Sequence, residues 1–307
     1  MSRFTFRGMM APAPTPFNKD GSLNLEMIPA YAKHLHSCGV KGVWVNGTIG
    51  EGMSMTVVER KAVAEAWARC RAEVSTMIVQ CGAGCLKDTQ DLARHAEDLG
   101  AEGVAVFPCL FDKPATTDEL VEYMVEVAKA CPNTPLFYYH FPTKTGVTLS
   151  MSEFLAKGVE RVPTLAGIKF TDLDVSGEGR KCLEVAGSAL TIFSGFDQTL
   201  QEALSVGFTS AVNGGFNFIP HLSSQVFAFM EAGNITEARK IQELISSYFD
   251  TMLGKLRPAY LVACLKTATT LLTGLDMGPV RLPARPFTDG MTLTLRSDLE
   301  NLGLKVY

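Results

Sequence analysis

Short apolar runs of β character alternate with helix-patterned segments eight times in succession, and this alternation constrains the fold more than any other feature of the chain. The runs are 9–12, 42–46, 77–82, 103–107, 136–139, 165–169, 191–194 and 209–212. Each is continuously apolar, the pattern of parallel strands covered on both faces. The stretches 26–38, 57–73, 86–99, 118–131, 152–159, 178–187 and 198–206 read as helices, with glycine after several of them, as in Cys38-Gly39 and Leu99-Gly100. Eight strand–helix units in a row favour a (β/α)8 TIM barrel over an open sheet, and 307 residues suit a barrel with additions. From about Leu222 to Leu302 the pattern is helical, with 237–253 and 258–272 long enough to pack on the barrel. The sequence therefore predicts a barrel over 1–221 and C-terminal helices over 222–307 packed on it as a single structural unit.

Composition narrows the function. Hydrophobic residues make up 47%, enough for a large core. A net charge of −4 offers no basic footprint for nucleic acid or an anionic membrane. No apolar run approaches the length of a bilayer span, and residues 1–7 lack the apolar region of a signal peptide. The eight cysteines are scattered without a CxxC pair, as expected of reduced thiols in a cytoplasmic protein. Of the five histidines, His34 and His36 would face different sides of a helix. The expectation is no metal site and no cofactor.

Two segments carry candidate chemistry. Lys169 lies within Gly167-Ile168-Lys169-Phe170-Thr171, downstream of the tyrosine-rich run Leu136-Phe137-Tyr138-Tyr139-His140. An ammonium inside an apolar strand is costly unless paired or neutral. A neutral lysine is a nucleophile that condenses with ketones to an imine. A phenol one strand away could move the proton such chemistry needs. The plainer readings are a strand-end lysine with its amine in solvent and a core tyrosine with a satisfied hydroxyl. The loop Asn46-Gly47-Thr48-Ile49-Gly50-Glu51-Gly52 is either a simple turn or a nest of backbone N–H groups for a small carboxylate. In a barrel, all three sit at C-terminal strand ends, where active sites form.

Together, Gly47-Thr48-Ile49-Gly50-Glu51, Tyr139-His140-Phe141-Pro142 and Gly167-Ile168-Lys169 resemble the motifs of the dihydrodipicolinate synthase / N-acetylneuraminate lyase family. The resemblance runs from Gly8 to Gly278-Pro279-Val280-Arg281-Leu282-Pro283 and is strongest to the animal-type N-acetylneuraminate lyase branch. It implies class I, pyruvate-dependent aldol chemistry on a homotetrameric barrel. By that likeness Lys169 forms the imine, Tyr139 shuttles the proton of the C4 hydroxyl, and Thr48 orients Tyr139. The amides of Thr48 and Ile49 hold the carboxylate, while Thr171, Gly195 and Asp197 face the rest of the substrate.

Departures from the family pattern bear on the aldehyde. Ile49 lacks the hydroxyl of the usual second threonine, and Phe111 stands where many members donate a tyrosine across the subunit interface. Gln198 replaces an acidic residue, Gly214 a serine that contacts the sugar tail, and Lys144 a small apolar residue. Lys144 is either a solvated loop lysine or a cation for an acidic aldehyde. The expected partners are pyruvate and an aldehyde. The expected activity is cleavage of N-acetylneuraminate or a related 4-hydroxy-2-oxo acid. The alternatives are a condensing aldolase for a carboxylate-bearing aldehyde, or a non-catalytic binding relative.

Overall fold

The computed structural model describes residues 4–187, 189–254 and 256–307. Eight strands close into a parallel barrel: β1 Gly8–Ala11, β2 Gly42–Val45, β3 Thr76–Gln80, β4 Gly103–Val106, β5 Leu136–His140, β6 Leu165–Phe170, β7 Thr191–Ser194 and β8 Ser210–Ala211. Each strand pairs with the next, and β8 closes on β1 through Gly8–Ser210 and Met9–Ala211. Every predicted strand lies within two residues of an observed one.

The helices are α1 Ile28–Ser37, α2 Val57–Ala68, α3 Leu86–Asp98, α4 Thr117–Ala128, α5 Pro142–Thr145, α6 Met151–Arg161, α7 Arg180–Ala186, α8 Leu200–Val206, α9 Pro220–Glu231, α10 Ile235–Leu253, α11 Leu261–Thr273 and α12 Asp289–Asn301. Side-chain caps set several starts. Thr56 and Glu59 form a reciprocal capping box at α2, and Thr116 and Ser150 cap α4 and α6. The α2 helix stops at Ala68 rather than running to 73, because the chain turns through Cys70–Val74 to enter β3. The short α5 was not expected. It starts at Pro142, and Gly146 ends it in a left-handed conformation at φ 67°. The helix after β8, α9, starts at Pro220, so a division after residue 221 falls inside it.

Two apolar layers fill the structure. One lies inside the barrel and includes Met10, Trp44, Ile78, Phe137 and Phe193. The larger lies between the strands and the helices and takes in α10, α11 and α12 of the C-terminal extension.

Candidate active site

Tyr139 and Lys169 are cross-strand neighbours in the β5–β6 register, at the C-terminal end of the barrel. Lysine reaches the interior there because β6 carries an extra residue. Leu136 pairs with Leu165 and Phe137 with Gly167, so Ala166 is left out of the ladder. Ala166 packs against the inner layer and Ile168 against the outer one. Strict alternation would put Ile168 inside and Lys169 outside. The bulge reverses this. Gly167 makes it feasible, with φ at 146° and its Cα so close to β7 that a Cβ would lie 1.8 Å from the Thr191 carbonyl oxygen.

The Lys169 side chain is 4% exposed, and its Nζ lies 3.5 Å from the Tyr139 hydroxyl. The ammonium is also 4.5 Å from the centre of the Tyr139 ring and 5.4 Å from that of Trp44. No carboxylate pairs with it among the described residues. Burial lowers its pKa to about 7, opposed by the more distant charge of Asp197. Near neutral pH a large share of the amine is therefore uncharged and nucleophilic. Burial likewise pushes the Tyr139 phenol up to about 12, and its hydrogen bond with Thr48, at 3.1 Å, works the other way.

The 46–52 loop is tightly folded. Asn46 and Glu51 hold left-handed conformations, the Glu51 and Gly52 N–H groups donate back to the Thr48 and Gly47 carbonyls, and Thr15 donates to the Gly50 carbonyl. Among the described residues, the Thr48 and Ile49 N–H groups have no partner. That leaves two adjacent donors beside the lysine, the arrangement a small carboxylate requires.

A cavity of 90 Å³ lies over Lys169 and accepts a group the size of pyruvate. Thr48, Ile49, Tyr139, Thr171, Gly195, Asp197, Gln198 and Gly214 line it together with Lys169. Thr171 brings a buried hydroxyl that has no partner. Gly195 must be bare, because a Cβ there would lie 2.2 Å from that hydroxyl. Asp197 is buried, and burial pushes its pKa up to about 7 although Gly215 N–H donates to it at 2.9 Å. Gln198 is exposed at the rim. Lys144, exposed on α5, does not line this cavity. It borders a neighbouring one of 440 Å³ that shares Thr48, Tyr139 and Phe141. His140 points out of the barrel, stacked on Phe170 and 3.5 Å from Asp172.

Sequence reasoning missed the far wall of the site. Phe249 and Leu253 of α10 and Leu261 and Leu265 of α11 close the cavity from the C-terminal extension. Their helical spacing is that of any packing face, so only the tertiary structure identifies them.

The sequence profile of the dihydrodipicolinate synthetase family matches residues 5–302. The chain belongs to that family. Among its members, the N-acetylneuraminate lyase of Homo sapiens is 35% identical over 297 residues, spanning 95% of this chain and 92% of the relative. That of Xenopus tropicalis is 36% identical over 283 residues, 90% of each chain. The solved structure of N-acetylneuraminate lyase from Proteus mirabilis superposes with a TM-score of 0.91 at 32% identity, covering 97% of this chain and 99% of that one. The lyase from Aliivibrio salmonicida gives the same TM-score and identity, over 99% and 98%. This family member thus has the fold of sialic acid aldolases over essentially its whole described length.

Proposed function

We propose that this chain is a class I aldolase, a carbon–carbon lyase that cleaves N-acetylneuraminate or a related 4-hydroxy-2-oxo acid to pyruvate and an aldehyde. The observation that carries this reading is a buried, unpaired Lys169 amine 3.5 Å from a phenol that is itself held by Thr48. The activities of the N-acetylneuraminate lyases similar to this chain agree with it.

The chemistry follows from the geometry. The Lys169 amine adds to the C2 ketone, and the Tyr139 phenol gives its proton to the departing hydroxyl, which leaves as water and leaves a protonated imine beside a Tyr139 phenolate. The Thr48 and Ile49 amides hold the adjacent carboxylate. The imine places a fixed positive charge beside the Tyr139 oxygen and favours its phenolate, which takes the proton of the C4 hydroxyl. The C3–C4 bond electrons then flow into the imine, releasing the aldehyde and leaving an enamine. Protonation of the enamine at C3 and hydrolysis of the imine release pyruvate and restore Lys169. Thr171, Gly195, Asp197, Gln198 and Gly214 would contact the departing portion.

Borohydride added with pyruvate should leave a reduced pyruvyl mass on Lys169. No mass gain in folded protein would end the imine reading and favour a non-catalytic binding role.

A second reading concerns direction and acceptor. The 440 Å³ cavity has Lys144 on its border and mainly apolar walls, including Phe107, Leu110 and Val262. The Lys144 cation there supports a carboxylate-bearing aldehyde as the partner of pyruvate, the acceptor that a condensing aldolase would use. Pyruvate release from a panel of sugar acids and dicarboxylic oxo acids separates the two. Turnover of N-acetylneuraminate equal to or better than that of every dicarboxylic substrate would exclude the shifted specificity.

We also propose a homotetramer, as the family resemblance implies, and a cytoplasmic location, in line with eight unbridged cysteines. Sedimentation and fractionation test these.

A further inference from the structure

A buried ion pair lies behind the carboxylate loop. Lys266 Nζ on α11 donates to Glu51 Oε1 at 2.9 Å, and the two side chains are 1% and 2% exposed. The other Glu51 oxygen accepts the Arg281 backbone N–H at 2.8 Å, and Lys266 also donates to the Pro279 carbonyl at 2.8 Å. The aromatic face of Phe17 completes the enclosure, 4.2 Å from Lys266 Nζ and 4.3 Å from the Arg281 guanidinium. Arg281 in turn reaches Glu59, Ser54 and Gly21. The extension therefore grips the loop and its flanks at several points.

This grip falls on the loop's least favourable residue. Glu51 is one of two non-glycine residues with positive φ among the described ones, at 53°, and it is next to Gly52, where a Cβ would meet the Asn46 carbonyl at 2.0 Å. A non-glycine residue whose Cβ disfavours the left-handed region has to be held there by its surroundings. The Glu51 N–H donates to the Thr48 carbonyl and the Gly52 N–H to the Gly47 carbonyl, both at 3.2 Å, which fixes the two peptide planes that carry the free Ile49 and Thr48 N–H groups. A buried ion pair adds little net stability over apolar residues of similar size, so its contribution here is geometric.

We propose that Glu51 and Lys266 are positioning residues for pyruvate: their ion pair sets the direction of the Thr48 and Ile49 amides, so Lys266 of the C-terminal extension governs carboxylate affinity without itself lining the cavity over Lys169. The inference rests on the aldolase reading and assigns it a further pair of residues. Lys266 also sits one turn beyond Val262 and beside Leu265, both of which line the cavities, so one helix supplies both the wall and the brace.

The test is the pyruvate concentration that half-saturates borohydride trapping on Lys169, measured for the unaltered protein, Glu51→Gln, and the double variant Glu51→Gln/Lys266→Met. The double variant leaves no buried charge unpaired and keeps the protein folded if the single changes do not. The surface variant Lys157→Met, which removes the partner of Asp118 and Glu153, is the control. The expected result is a rise of about tenfold or more in the half-saturating concentration with the maximal adduct kept, the split that marks weakened binding with chemistry intact. Variants that fold, lose thermal stability and still half-saturate within twofold of the unaltered protein would overturn the positioning role while leaving the aldolase reading in place. Absence of any adduct in the unaltered protein would overturn both.

Discussion

Among the described residues two lysines are buried, Lys169 in the barrel and Lys266 in the extension, and their surroundings differ in one decisive respect. Lys266 has a carboxylate at 2.9 Å and a carbonyl at 2.8 Å. Burial lowers its affinity for a proton and Glu51 opposes that loss, so it is held as an ammonium with its donors engaged. Lys169 has a phenol at 3.5 Å, two aromatic faces and an acidic group too distant to pair. The distant charge of Asp197 offsets its desolvation only in part, and it gives up its proton near neutrality. The same side chain is thus a brace in one place and a nucleophile in the other, and what separates them is the presence of a counter-charge.

Replacing each lysine by methionine should break this symmetry most sharply. Lys169→Met should lose imine trapping and turnover altogether while folding normally, because it removes a charge that the fold leaves unpaired. A variant that still incorporates pyruvate on borohydride treatment would move the nucleophile elsewhere. Tyr139→Phe comes next, with a loss of about 10²- to 10⁴-fold in turnover and imine formation largely kept. Steady-state rates beside adduct mass spectrometry check this split.

Lys266→Met should instead destabilise by roughly 3–5 kcal/mol, since it strands Glu51 without its cation in the interior. Denaturant unfolding measures it, and a loss below about 1 kcal/mol would mean that Glu51 tolerates being unpaired.

The smallest effect is on pH dependence. The folded Lys169 pKa, about 7, lies below the ordinary value of 10.5. Between those two values the unfolded chain binds more protons at this position than the folded one, so its contribution to stability grows as pH rises through that window. The rate of pyruvate trapping should climb over the pH range around 7 as the amine deprotonates. Lys169→Met should flatten the stability gain above pH 7, whereas a profile unchanged by the substitution would assign the titration to another group.

The barrel was legible because strand and helix alternate in the sequence eight times, and Lys169 because a charge stands out in an apolar strand. Lys266 carries the same signal, a single charge in Leu261-Val262-Ala263-Cys264-Leu265-Lys266, yet it lies on a helix where a lysine can usually reach solvent. Its partner is 215 residues away, beyond what any local pattern encodes. The bulge at Ala166 was hidden for a related reason. Side-chain alternation tells which face a residue takes only when no residue is inserted, and Gly167 marks the insertion without announcing it. Lys144 was placed near the pocket by likeness alone. It lies on the unexpected turn α5, bordering the second cavity rather than the one over Lys169.

The wall formed by Leu261 and Leu265 also has a temporal meaning. These residues lie well over two hundred positions into the chain and are made after every strand of the barrel. Until they dock, the amine at Lys169 is open to water, which favours its protonated form and shields it from stray carbonyl compounds. A chain made through β8 but not yet through α11 therefore carries the lysine without the wall that desolvates it.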